Sequence, residues 1–252
     1  MASTERVYSI VGGASGMGLA TAQTLVKSGH RIAVGDINQK TLDAFVESLN
    51  ADEKSRVLTA LVDVTDKEAV KYFLAKSKEK YGKLDGVANF AGVPGHALGS
   101  EPVWETTPEE YDHIINCNVR GPYNVLNESL KPGFLENGAS VVHVASMFAL
   151  QGFKNGAVFA ASKHAALGMV RSAAKEVGAK DIRVNCVLPG VIDTPMKRSV
   201  SEQIVGSVSS SAAPIPRDGT AQEVANAVIF LLSSQSSFIT GTAFSVDGGA
   251  NS

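Results

Sequence analysis

The chain has 252 residues, 44% of them hydrophobic and 19% charged, enough apolar material for a large core and too little charge for a disordered segment. Its formal net charge of -2 leaves no basic footprint, which argues against nucleic acid as the main partner. No apolar run reaches membrane-spanning length, MASTERVYSIVGG lacks the parts of a signal peptide, and GANS matches no targeting tag, so a cytoplasmic protein without a membrane partner is expected.

The first apolar run, VYSIV (7–11), reads as a strand and leads straight into GGASGMGLATAQTLV. Gly12, Gly16 and Gly18 stand in a G-x-x-x-G-x-G spacing, with Ser15 and Met17 between them. Glycines there let the backbone approach a pyrophosphate, and the helix that follows offers free N–H groups and the positive end of its dipole. Gly29 stands where a left-handed cap should end that helix. The second run, RIAVG (31–35), leads to Asp36, 18 residues after Gly18. A carboxylate there can accept hydrogen bonds from an adenosine ribose and repels a 2′-phosphate, and Ser15 gives such a phosphate no basic partner. NAD is therefore expected ahead of NADP, with Ile37 beside the acid. Asp36 can also cap the helix that begins near Asn38, and the two roles are compatible. After the third run, RVLTALV (56–62), Asp63 either reaches the adenine edge, with Val64 beside it, or only begins a turn.

TDKE (65–68), TPEE (107–110) and TAQE (220–223) each offer a Thr cap with Glu three residues on. LDGVANF, ASVVHVAS, IRVNCVL and TAFSV complete the set of strands, nearly continuous in apolar character as strands buried on both faces should be. The alternation of strand and helix predicts one α/β domain over 1–252, a single-domain Rossmann-type doubly wound parallel sheet of about seven strands with helices on both faces. The least regular stretch, about 194–219, reads as a substrate flap or as a plain surface loop. Cys117 and Cys186 lie in separate segments without CxxC pairing and are expected to be buried thiols. The five histidines share no ligand spacing, so no metal is expected.

GAVFAASKHAAL (156–167) reads as an alanine-rich helix carrying a single cation, Lys163. Phe159 sits four residues before it, which stacks the two side chains on one helix face. In chain order, GGASGMG, NFAG (89–92), NCNVRG, VVHVASM, ASKHAA, IRVNCVLPGVIDTPM and FITGTAFSVDGG together resemble the short-chain dehydrogenase/reductase family, from the first strand to the C-terminus.

That resemblance implies an NAD(P)-dependent oxidoreductase, an alcohol dehydrogenase or carbonyl reductase, interconverting an alcohol and a ketone or related C=O or C=N group by hydride transfer. It implies a catalytic set of Asn118, Ser146, residue 159 and Lys163, the last two spaced Y-x-x-x-K in the family. Ser146 would hydrogen-bond the substrate oxygen. Lys163 would bind the nicotinamide ribose and lower the pKa of a neighbouring phenol. Asn118 would hold a helix bend and a water for proton relay. Asn89, Ala91 and Gly92 would line the adenosine side, while Pro189, Gly190, Ile192 and Thr194 would cover the nicotinamide. Position 159, however, is Phe, which keeps the ring and has no proton to exchange. General acid–base catalysis typically contributes a factor of about 10² to 10⁴. The chain is then first a deliberately inactivated variant of an active oxidoreductase, and second a natural chain with another proton donor or different chemistry. A non-redox isomerase, lyase or cyclase and a nucleotide-binding regulator are the alternatives on the same fold. Val11 and Phe90 depart from the family pattern without threatening cofactor binding. The resemblance also suggests a homotetramer or homodimer built on helices within 107–131 and 156–178. Met147, Phe148, Phe153 and Met196 point to an apolar, bulky small-molecule substrate or to packing alone. Trp104 either walls the pocket or anchors a loop.

Overall fold

Val7 to Val11, all five buried, form the central strand β1 of the computed structural model, which describes residues 5–203 and 213–252. The glycine turn leads into α1 (Gly16–Lys27), and β2 (Arg31–Asp36), α2 (Gln39–Glu47) and the short α3 (Ala51–Ser55) follow. Next come β3 (Val57–Leu61), α4 (Lys67–Tyr81) and β4 (Gly86–Asn89). The second half runs through α5 (Pro108–Ile115), a π-turn at Asn116–Arg120, α6 (Gly121–Ser129), β5 (Ser140–Val144), α7 (Ala157–Val177) and β6 (Arg183–Pro189). It closes with β7 (Ile192–Asp193), α8 (Pro195–Gln203), β8 (Gly219–Thr220), α9 (Ala221–Leu232) and β9 (Ala243–Val246).

Seven strands pair in the order β3-β2-β1-β4-β5-β6-β9, every neighbour parallel, while β7 and β8 make a separate two-stranded ribbon. This is the expected doubly wound sheet. The order reverses between β1 and β4, and ligand crevices of open α/β sheets lie at such a switch, beyond the carboxyl ends of the strands. One face of the sheet packs under α1 and α9 through Ile10, Leu25, Ile32, Val142, Val187 and Leu231. The other packs under α4, α6 and α7 through Val11, Phe73, Val87, Val141, Val184 and Val170. Fully burying a Leu or Phe side chain is worth about 1.5–3 kcal/mol, so these two layers hold the strand ends in place.

The helix starts depart in part from the sequence reading. Asp66, not Thr65, caps α4 by accepting from the N–H groups of Glu68 and Ala69, while Thr65 donates to Asp63 instead. Thr107 caps α5, but the Glu110 carboxylate turns to the His96 backbone and imidazole, so the reciprocal bond is missing. Thr220 and Glu223 do close the full capping box on α9. Asn38 caps α2, which leaves Asp36 free of that duty. Gly29 takes φ +85° after α1, as its position predicts. Of the expected flap at 194–219, residues 204–212 lie outside the described residues; the remainder is regular at both ends, in α8 and in β8. Among the described residues no helix is long and apolar enough to cross a membrane.

Candidate active site

The glycine turn after β1 is built by close approach. Gly12 adopts φ +70°, and a Cβ there would come within 2.7 Å of the Ala91 backbone nitrogen. A Cβ on Gly18 would run into the Gly12 carbonyl oxygen, so the turn and α1 touch only because both positions lack side chains. Ser15 precedes α1 without a side-chain cap, which leaves the positive end of the helix facing a cavity of about 490 Å³ that Gly12 and Ser15 line. Asp36 stands on the same cavity, its two carboxylate oxygens accepting from the backbone nitrogens of Ala14 at 3.0 Å and Asn38 at 3.1 Å. Asp63 both opens a turn, accepting from Thr65 N and Oγ1 at 2.8 Å, and lines this cavity with Ile37 and Val64. A glycine cradle that any side chain would fill, an uncapped helix start and a fixed carboxylate fit a dinucleotide.

A second cavity of about 170 Å³ adjoins the first and shares Phe90, Gly92, Val93 and Met196 with it. Ser146 follows β5 and starts a 3-10 turn, its hydroxyl oxygen accepting from Phe148 N at 3.2 Å and its own hydrogen without an acceptor among the described residues. Across the cavity, α7 contributes Phe159 and Lys163, the Lys163 Nζ lying 5.3 Å from the centre of the Phe159 ring. Phe148 meets Phe159 edge-on at 6.2 Å and lies against Phe153 at 4.6 Å with the rings tilted by 33°. The cavity wall is therefore largely aromatic and aliphatic, with Ser146, Thr194, Lys163 and Lys197 as its polar side chains.

Asn118 occupies the π-turn between α5 and α6, where the extra residue bends the helix. Its Oδ1 accepts from Val93 N at 2.8 Å, and its Nδ2 donates to Val93 O at 2.8 Å and to Ser162 Oγ at 3.1 Å. Ser162 in turn donates to the Phe159 carbonyl at 2.7 Å. Asn118 thus ties the loop after β4 to the start of α7, and only a second lone pair on Oδ1 is left for a water. Gly92 leaves space beside it: a Cβ there would sit 3.0 Å from Lys163 Nζ and 3.2 Å from Asn118 Oδ1.

Beneath Lys163 the sheet carries an unusual row. Asn89 on β4, His143 on β5 and Cys186 on β6 are direct partners across the strands and all are buried. Among the described residues, the Asn89 Nδ2 has no hydrogen-bond partner, and neither ring nitrogen of His143 makes a well-formed hydrogen bond, its polar neighbour being the Asn89 backbone. Burial, helped by the charge of Lys163 and opposed by the Asn89 backbone, pushes the His143 imidazole down to about 3, so it is neutral at physiological pH. Burial also lowers the Lys163 ammonium to about 8, with the Cys117 and Cys186 thiols opposing that shift. The Cys186 thiol itself is pushed up to about 12 by burial.

The residues singled out in sequence gather around the two adjoining cavities. Gly12, Ser15, Asp36, Ile37, Asp63, Val64, Ala91 and Gly92 line the first cavity. Met17, Gly92, Ser146, Phe159, Lys163, Pro189, Gly190, Ile192 and Thr194 line the second. Gly18, Asn89 and Asn118 line neither and support the walls from behind. Of the apolar candidates, Phe148 and Met196 face the second cavity, while Phe153 backs Phe148 and Met147 is buried. Trp104 lines neither cavity and is 81% exposed, so it neither walls the pocket nor anchors its loop. Cys117 departs from the buried-thiol expectation: it is only partly buried and lines the first cavity with His113 and Asn116. Those three share one helix face through spacings of three and four, a pattern readable in the sequence. Leu98 and Val191 of the second cavity carry no comparable signal.

Residues 12–251 match the family described as enoyl-(acyl carrier protein) reductase. The chain is 37% identical over 251 residues to short-chain dehydrogenase/reductase aba4 of Botryotinia fuckeliana, covering 98% of this chain and 96% of that one. It is similar to the crystal structure of levodione reductase, with TM-score 0.89, 32% identity and 98% and 97% coverage. It also resembles ElxO, solved with NADP bound and, as a Tyr-to-Phe variant, with NADPH bound, each at TM-score 0.86, 28% identity and 98% coverage of both chains.

Proposed function

The chain belongs to the short-chain dehydrogenase/reductase family of oxidoreductases, and from that premise we propose a hydride-transferring enzyme for an apolar alcohol–ketone pair, impaired here by Phe159. The observation that carries this reading is the convergence of Ser146, Phe159 and Lys163 on one cavity that adjoins the cavity lined by Asp36. A nicotinamide dinucleotide, when bound, supplies or accepts the hydride. Gly12 and the start of α1 hold its pyrophosphate, and Lys163 donates to its ribose hydroxyls. Ser146 donates its free hydroxyl hydrogen to the substrate oxygen and orients the carbonyl. Asn118 holds α7 in place through Ser162 and the Phe159 carbonyl. The Phe159 ring fills the proton donor's seat without a proton to give. The intact set of Asn118, Ser146 and Lys163 around it favours a replaced tyrosine over general decay of the site.

NAD is the preferred cofactor because the Asp36 carboxylate, fixed by two backbone donors, would meet a 2′-phosphate with like charge. The NADP and NADPH of the ElxO structures belong to that protein. The whole of 1–252 serves as one catalytic domain, with a substrate flap at about 194–219, and copies associate as dimers or tetramers through the helices that include 107–131 and 156–178. The deciding experiment is Phe159→Tyr, followed by the absorbance of reduced nicotinamide across a panel of apolar ketones. A rise of about 10² to 10⁴ in kcat/KM is expected. An unchanged rate with NADH still bound turns the assignment towards non-redox chemistry on the same fold.

A further inference from the structure

We propose that the Lys163 side chain is a carbonyl-reactive amine: in the cofactor-free protein it forms a reversible imine with an apolar aldehyde admitted to the cavity of Ser146, Phe148 and Phe159. The assignment rests on the side chain's surroundings rather than on the redox reading, which reserves the same nitrogen for ribose hydroxyls.

Lys163 is 5% exposed, and what exposure it keeps is onto the second cavity. Among the described residues it has no hydrogen bond and no carboxylate partner; its Nζ meets the face of Phe159 and the edge of Gly92. The titratable groups facing it are the Cys117 thiol from the π-turn, the Cys186 thiol from β6 and the His143 imidazole from β5. Burial keeps both thiols protonated and His143 uncharged, so none of the three supplies an anion to hold an ammonium. The ring at 159 matters here, since a phenol could ionise beside Lys163 and a phenyl cannot. A lysine in an apolar pocket without a counter-charge is how proteins obtain a nucleophilic amine near neutral pH. Burial accordingly lowers this ammonium to about 8, against 10.5 for an ordinary lysine.

The cavity suits the partner. Leu98, Phe148, Val191 and Ile192 accept an apolar body, and the Ser146 hydroxyl can polarise a carbonyl oxygen. The Nζ lone pair adds to the carbonyl carbon, the C=O π pair moves to oxygen, and the proton lost by nitrogen neutralises it. The carbinolamine then expels one water, leaving C=N, and hydrolysis reverses every step. No oxidant or reductant is consumed.

The test treats the cofactor-free protein with benzaldehyde, traps imines with cyanoborohydride and maps benzylated lysines by peptide mass spectrometry. Lys163 is expected to be modified about tenfold or more above exposed lysines such as Lys40 and Lys76 at pH 7.5, because far more of it is neutral. That preference should shrink as pH rises from 8 towards 10, where surface amines lose their protons too. Lys163→Arg should remove the mapped adduct, and mapping the unaltered chain decides the matter if that variant does not fold. Benzylation spread over exposed lysines with Lys163 untouched overturns the inference. Millimolar NADH should protect Lys163. Modification of Lys163 that ignores NADH supports the amine assignment and counts instead against the cofactor placement.

Discussion

The two faces of the sheet are built to different standards. Under α1 and α9 the row at the carboxyl ends of the central strands is apolar, with Val144 on β5 paired to Val187 on β6 and both buried. Under α7, one residue away along the same strands, the row is Asn89, His143 and Cys186, and three of its polar atoms are without partners among the described residues. A buried polar group left unpaired costs about 1–3 kcal/mol. The apolar face therefore contributes stability, while the α7 face gives some of it up. What accompanies it is a neutral imidazole and a lysine with no carboxylate partner among the described residues, beside the cavity lined by Ser146 and Phe159. Perturbed titratable groups cluster at functional sites, and structural networks perturb them as well.

Breaking the apolar face should have the largest effect. Leu231→Ala leaves a cavity under α9 and should cost about 2–5 kcal/mol in urea unfolding, with NADH affinity unchanged because no cofactor-facing residue moves. Next is Gly18→Ala, where the new methyl meets the Gly12 carbonyl oxygen. Overpacking of this kind costs about 1–3 kcal/mol, and here it should appear in calorimetry as weaker NADH binding as well as in the melting temperature. Asp36→Ala should raise NADPH affinity relative to NADH by about tenfold, near 1.4 kcal/mol; an unchanged ratio would show that the carboxylate does not select the cofactor.

The smallest effect sharpens the contrast most. His143→Leu removes two unpaired ring nitrogens and should leave stability at pH 7 unchanged or about 1 kcal/mol higher. The sign of its pH dependence follows from linkage. The folded imidazole titrates near 3 and the unfolded one near 6.5, so the unfolded state takes up more protons between those values. The unaltered chain should lose stability as pH falls from 6.5 towards 3, and the Leu variant should lose less. Melting curves for both across that window check the prediction. An identical slope would mean that His143 is already solvated or paired.

Much of this was legible in the chain itself. The glycine spacing, Asp36 at the end of a strand, the Ser146 segment and the Phe159–Lys163 pair depend on backbone within a few residues, and local spacing is what a sequence displays. The seven strands were equally plain, because a strand covered on both sides reads as a nearly continuous apolar run. Cap positions slipped at Thr65, since an acid on either side of it offered the backbone a better partner. The row under Lys163 was decided only by tertiary structure. Asn89, His143 and Cys186 are separated by 54 and 43 residues, and no local pattern links them. Parallel pairing of β4, β5 and β6 puts them side by side, and α7 packs over that face of the sheet, where all three are buried. Burial sets the charge on Lys163 and His143, and burial belongs to the folded arrangement rather than to any segment of it.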